Sequence, residues 1–194
     1  MALEYERKYA ATEDSLRLIA QGMGEPTQVL SMETTYYDTQ NGALSRQHMT
    51  LRRRTENGTS ICSLKTPTDT LARGEFQVEA ASIEEAIPVL CKLSGYKELL
   101  PVTAGGVFPV CGAKFTRWVY RVAFGDSMLE IALDQGVLLG GKKDCPLFEV
   151  EVELLFGKPE DADLYGAILS AKYTLQEEKK SKFRRALDLA KGEN

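Results

Sequence analysis

The stretch FEVEVELL, residues 148–155, alternates without a break, with Glu149, Glu151 and Glu153 at every second position and Phe148, Val150, Val152 and Leu154 between them. A strand turns successive side chains to opposite faces, so this segment presents one apolar face and one face of carboxylate. Same-face neighbours on a strand stand about 7 Å apart, close enough for like charges to repel unless cations lie opposite. A chain carrying this segment must build a sheet with one apolar side and bring positive charge to the other.

The same period of two sorts the other candidate strands. In EYERK, Glu4, Glu6 and Lys8 share a face, and in HMTLRRR so do His48, Thr50, Arg52 and Arg54. ICSLK aligns Ile61, Ser63 and Lys65; RGEFQVE aligns Arg73, Glu75, Gln77 and Glu79. KFTRWVYR aligns Phe115, Arg117, Val119 and Arg121, and EIALD aligns Glu130, Ala132 and Asp134. One such stripe is what any antiparallel sheet shows when water wets one side. The set says more.

If these faces converge, they line a space with cations from the middle strands and carboxylates from the first and last. A dry lining would cost several kcal/mol for each unpaired charge, by general estimate, so the space must hold water, metal and a counter-ligand. Clustered carboxylates suit Mg²⁺ or Mn²⁺, which take hard oxygen ligands. Arginine and lysine grip phosphate oxygens, arginine two at once. A metal-bound chain of phosphates matches both halves of the lining, whereas a single phosphate leaves most of the cations idle.

Local patterns predict strands at LEYERKYA, TQVLSMETTYYDT, RGEFQVEAA, KFTRWVYRVAF, SMLEIALDQG and LFEVEVELLFG. ALSRQHMTLRRRTENGTSICSLKTP reads as two strands around the turn Asn57-Gly58. Helices are predicted at TEDSLRLIAQGM, capped by Thr12, at SIEEAIPVLCKLSGY, interrupted by Pro88, at PEDADLYGAILSAKY and at SKFRRALDLAKG. GVLLGGKKDCP lacks the GxxxxGK[ST] spacing of a phosphate loop and reads as a hairpin loop. The expected fold is α+β, a closed eight-stranded antiparallel β-barrel with helices packed outside, formed by a single domain over 1–194.

The formal net charge of −4 argues against a general affinity for nucleic acid or anionic membrane. Even KKSKFRR reads as a solvated helix face. No apolar run approaches the roughly 20 residues of a membrane span, and the N-terminus MALEYERKY lacks a secretion signal, so a cytoplasmic protein is expected. The four cysteines are scattered, without a CxxC pair and with one histidine, His48, and are expected to be reduced thiols. His48 itself reads as a surface residue, and Trp118 and Tyr120 as core.

In order along the chain stand ExExK at 4–8, YYDT at 36–39, LRRR at 51–54, LK at 64–65, RGEF at 73–76, Arg117 in FTRWVY, LDQG at 133–136, the ExExE run and the SK of SKFRR. This series resembles the CYTH, or triphosphate tunnel metalloenzyme, family over nearly the whole length. The resemblance implies a tunnel that binds a small-molecule triphosphate with Mg²⁺ or Mn²⁺ and cleaves it, acting as a monomer or homodimer. By matched position, Glu4, Glu6, Glu149 and Glu151 would hold metal, with Glu153 beside them and Asp134 ordering metal or water. Lys8, Arg52, Arg54, Lys65, Arg117 and Lys182 would bind phosphate, with Arg73 and Glu75 on a less constant motif. Glu4, Glu6, Lys8, Asp134 and Glu151 would carry the catalysis.

Phe115 departs from the pattern, since many relatives carry lysine there. LDQG followed by ExExE is most similar to the bacterial inorganic triphosphatase branch, some of whose members continue into a helical phosphate-associated domain that this length is not expected to include. The expected reaction is hydrolysis of tripolyphosphate to pyrophosphate and orthophosphate. The same fold could instead serve a thiamine or nucleoside triphosphatase, a class IV-type adenylyl cyclase, or a non-catalytic polyphosphate-binding module.

Overall fold

The computed structural model describes residues 5–67 and 74–192. Its strands are β1 (Tyr5–Ala10), β2 (Gln28–Asp38), β3 (Thr50–Glu56), β4 (Thr59–Thr66), β5 (Gly74–Glu79), β6 (Phe108–Phe124), β7 (Ser127–Gly140), β8 (Lys143–Phe156) and β9 (Gln176–Glu177). Its helices are α1 (Glu13–Met23), α2 (Ala43–Arg46), α3 (Ile83–Ser94), α4 (Leu99–Thr103), α5 (Pro159–Tyr173) and α6 (Lys182–Lys191).

Among the described residues the strands form one antiparallel sheet in the order β5-β4-β3-β2-β6-β7-β8-β1-β9. This corrects the expected closed eight-stranded barrel: the sheet has nine strands, and it is open, with β5 and β9 at its edges. Alternation of side chains is identical in an open and a closed sheet, so the sequence pattern carried no information about closure. The extra strand is the two-residue β9, which pairs with Tyr9 and Ala10 and is too short to leave a periodic signal.

The elements follow from local chemistry. Thr12 accepts from the Ser15 amide at 3.1 Å, with Glu13 and Asp14 in the first turn of α1. Ser82 and Ser181 cap α3 and α6 in the same way. Asn57 and Gly58, at φ 47 and 92, make the turn between β3 and β4. Several expectations fail locally: α3 runs through Pro88, losing one backbone bond without breaking, and ALSR forms α2 instead of opening a strand. Asp38 explains α2, because its carboxylate accepts from the amides of Leu44 at 2.9 Å and Ser45 at 3.1 Å.

Val137–Gly140 and Lys143–Pro146, expected as loop, extend β7 and β8 and pair across a turn at Gly141, whose φ is 66. Residues 108–113 likewise lengthen β6 despite Pro109, which sits beside a bulge in β6 where Val110 is the extra residue between the pairs Tyr36–Cys111 and Tyr37–Pro109, so a missing donor does least harm.

One face of the sheet is apolar along its length. At one end Tyr9, Ile131, Leu133, Val150 and Val152 pack on Leu16 and Ile19 of α1 and Leu169 of α5. At the other, Leu51, Cys62 and Leu64 pack on Ile83, Ala86 and Leu90 of α3 and on Leu99 of α4. The opposite face is divided. Part of it is apolar, where Met32, Tyr36, Ala113, Phe115 and Leu138 receive Phe183, Ala186 and Leu187 of α6, and the rest carries the charged stripes. Helix α6 therefore lies on the charged face and ends it.

Gly136 is paired with Phe115, and a Cβ there would stand 2.6 Å from the Phe115 Cβ and 2.5 Å from its Cα. Gly136→Ala is expected to destabilise the fold by about 1–3 kcal/mol, the usual range for overpacking. Urea unfolding measures it, and a change within roughly 0.5 kcal/mol, the ordinary surface range, would contradict this packing.

Candidate active site

A cavity of about 570 Å³ opens on the charged face. The predicted residues Glu6, Lys8, Glu151 and Glu153 line one side of it, and Arg52, Arg54, Lys65 and Glu75 the other. Arg117 and Lys182 complete the lining from β6 and α6. Asp134 and Glu149 are fully buried just behind it. Glu4 and Arg73 lie outside the described residues.

Register explains the convergence. Directly paired residues share a face, and Glu6 pairs with Glu153, Lys8 with Glu151, Arg117 with Asp134, Asp134 with Glu149, and Lys65 with Glu75. The apolar alternates of the same strands fix this parity, because a slip of one residue would bury the charges.

The acidic side is organised around one ammonium. Lys182 Nζ lies 2.7 Å from Glu151 and 2.8 Å from Asp134, and it also pairs with Glu149. Arg117 donates twice to Asp134, both at 2.7 Å, and once to Glu151 at 2.5 Å. Arg185, one helical turn beyond Lys182, pairs with Glu149 and with Glu178. Burial would strip the charge from Lys182, but Glu151, Asp134 and Glu149 hold its pKa above the ordinary lysine value.

The two neighbouring glutamates split. Burial pushes Glu149 up to about 7 against the pull of Lys182, whereas in Glu151 burial is outweighed by Lys182 and Arg117, which hold it well below the carboxylate range.

The opposite wall is cationic. Arg52 donates to Ser63 at 2.8 Å and to Glu75 at 2.9 Å, and Lys65 lies 2.8 Å from the other Glu75 oxygen. Arg54 pairs with Glu56, yet its Nε is buried with no hydrogen-bond partner. Burial, then the positive charge of Arg52, lowers the Arg54 pKa. A guanidinium so placed gains from an anion entering the cavity. Phe115, in place of the expected lysine, puts its ring 5.4 Å from the Lys182 Nζ and 5.7 Å from the Arg117 guanidinium, a cation–π support between them.

Asp134, Glu149 and Glu151 offer oxygens within 4.8 Å of one another. This all-oxygen donor set fits a hard divalent cation, and the Lys182 ammonium occupies the position of a counter-cation among them. Sequence reasoning missed Glu56, although it continues the 52, 54 stripe, and Arg185, although Lys182 and Arg185 lie three apart on a helix and so share a face. It placed Glu130 in a stripe without assigning it to the site, and Glu130 lines the cavity, paired with Glu153.

A model of the CYTH domain matches residues 2–187. An inorganic triphosphatase of Haemophilus influenzae is 30% identical over 138 residues, covering 69% of this chain and 39% of the relative, so the chain spans well under half of that protein. HpAC1 of Hippeastrum, described as a candidate adenylyl cyclase with a dominant triphosphatase activity, superposes with a TM-score of 0.68 at 19% identity, over 100% of this chain and 97% of that one. A candidate adenylate cyclase of Bacillus halodurans gives 0.66 at 18%, over 94% and 96%. At these identities the solved structures establish a shared fold. Among the described residues no helix is long and apolar enough to cross a membrane.

Lys182→Met leaves three carboxylates without their central cation and is expected to cost about 3–5 kcal/mol in urea unfolding, as breaking a buried ion pair does. A loss under about 1 kcal/mol, the scale of an exposed pair, would deny the cluster its structural role.

Glu75 gives a pH signature. Burial would raise its pKa, but Arg52 and Lys65 lower it below the usual 4.5. A carboxylate depressed in the folded state stabilises above its unfolded pKa, and that stability is lost as pH falls through the folded value. The melting-temperature gap between the protein and Glu75→Gln should therefore be open at pH 7 and close as pH falls below about 4.5. A gap independent of pH would refute the pairing.

Proposed function

This chain belongs to the CYTH domain family, and from that premise we propose that it is a metal-dependent hydrolase of phosphoanhydride bonds, acting on inorganic tripolyphosphate. The observation that carries the reading is the cavity itself, with the guanidiniums of Arg52 and Arg54 facing a carboxylate wall and Arg54 Nε lacking a partner. An acidic wall alone would serve a cation, and a basic wall alone any anion. Together they suit a polyanion delivered with a divalent ion. The likeness to the Haemophilus influenzae inorganic triphosphatase points the same way.

In this reading Arg52, Arg54 and Lys65 bind phosphate oxygens, Lys8, Arg117 and Lys182 bind from the acidic side, and Arg73 is a further candidate phosphate ligand. Glu75 holds Arg52 and Lys65 in place. Glu4, Glu6, Glu151 and Glu153 would hold Mg²⁺ or Mn²⁺, with Asp134 and Glu149 behind them. The ion, when bound, offsets phosphate charge and makes water a better nucleophile.

The protein's part is alignment and charge: an extended triphosphate held by cations presents its terminal phosphorus to a water oriented by Glu6 and Glu151. Water adds to that phosphorus as the bridging P–O bond breaks, giving orthophosphate and pyrophosphate.

A phosphate-release assay over tripolyphosphate, pyrophosphate, ATP and thiamine triphosphate, each with Mg²⁺, Mn²⁺ or chelator, tests the proposal. Turnover is expected to be fastest on tripolyphosphate and lost with chelator. Preference for an organic triphosphate, or turnover in chelator, would overturn it. Arg54→Ala is expected to raise KM roughly ten- to hundredfold, the worth of one charge-assisted hydrogen bond.

A further inference from the structure

A second cavity, of about 500 Å³, adjoins the first and shares Lys8, Thr50, Ser181 and Phe183 with it. Its remaining lining includes His48, Lys179, Lys180 and Arg184, and no carboxylate is among its described lining residues. Asp188 of α6, itself buried, pairs with Lys180 at 2.9 Å and Arg184 at 2.8 Å, and Glu178 accepts from the Lys180 amide at 2.8 Å. Glu6 stands 3.7 Å from Lys8 on the first-cavity side. The balance across the lining is thus positive, whereas in the first cavity acids and bases are mixed.

This cavity has no part in holding three phosphates on the first cavity's walls. It does continue them. The shared residues are an ammonium, two hydroxyls and one ring, a join suited to an unbranched anion without bulky groups. A linear polyphosphate carries negative charge at every unit and nothing else, so lengthening it extends the same chemistry from one cavity into the next.

We propose that the second cavity binds the distal units of linear polyphosphates longer than three, making this chain a receptor for long-chain polyphosphate as well as for tripolyphosphate. The proposal rests on the reading of the first cavity as a triphosphate site. Lys179 and Lys180 are exposed and have no part in that site, so they separate the two claims.

The experiment is calorimetric titration of the full chain, in chelator to prevent turnover, with tripolyphosphate and with long-chain polyphosphate at equal chain concentration. The unmodified protein is expected to bind the long chain at least tenfold more tightly. Lys179→Glu should abolish most of that advantage and leave tripolyphosphate affinity within twofold, and Lys180→Gln should act in the same direction. Equal affinity for both lengths, or an advantage that both variants retain, overturns the second site while leaving the first intact. Binding of neither ligand overturns the second site, and the phosphate-release assay with metal present decides the first independently.

Discussion

Everything on the charged face depends on the Lys182 ammonium being held among Asp134, Glu149 and Glu151, with Arg117 and Arg185 closing the group from either side. Buried carboxylates on adjacent strands repel, and without cations the strands that carry them could not pair with those charges inward. The compensating groups come from a helix more than thirty residues away in sequence from Glu149 and from a strand more than thirty before Glu151. Charge balance therefore does the work that apolar contact does elsewhere. It docks α6 on the face of the sheet that would otherwise be open to water.

That docking creates the cavity. With Phe183, Ala186 and Leu187 covering the apolar part of the face, the remaining stripes are left to line the cavity in a sheet that does not close on itself. The acidic strands β1, β7 and β8 are neighbours in the sheet, and so are the basic strands β3 and β4, with β2 and β6 between. The bias of acid towards one end and base towards the other follows from topology. It leaves Arg54 with a buried, unpartnered Nε facing carboxylates across the gap, an arrangement that a bridging polyanion and divalent ion would satisfy.

Much of this was legible because a strand's period of two is rigid. Glu6, Lys8, Arg52, Arg54, Lys65, Arg117, Glu151 and Glu153 were assigned to shared faces from spacing, and register brings them to one cavity. Depth was not legible. Asp134 and Glu149 read like their neighbours, yet they are fully buried, because α6 lies over that end of the face and no strand pattern announces a helix. Closure was invisible for the reason that alternation is the same in either topology. Proline and glycine misled at Pro88, which α3 runs through, and around Gly141, where a turn absorbed the glycine. Phe115 looked like a lost cation and proves to be a ring beneath Lys182 and Arg117.

The central claim is that the two walls share one ligand. Crystals grown with Mn²⁺ and a non-hydrolysable tripolyphosphate analogue, with the metal placed by anomalous scattering, test it most directly. The account predicts phosphate oxygens within hydrogen-bond distance of Arg52 and Arg54 and the Mn²⁺ signal against the carboxylates of β1 and β8, both in the first cavity. Metal and analogue bound apart, or on any other surface, would contradict it.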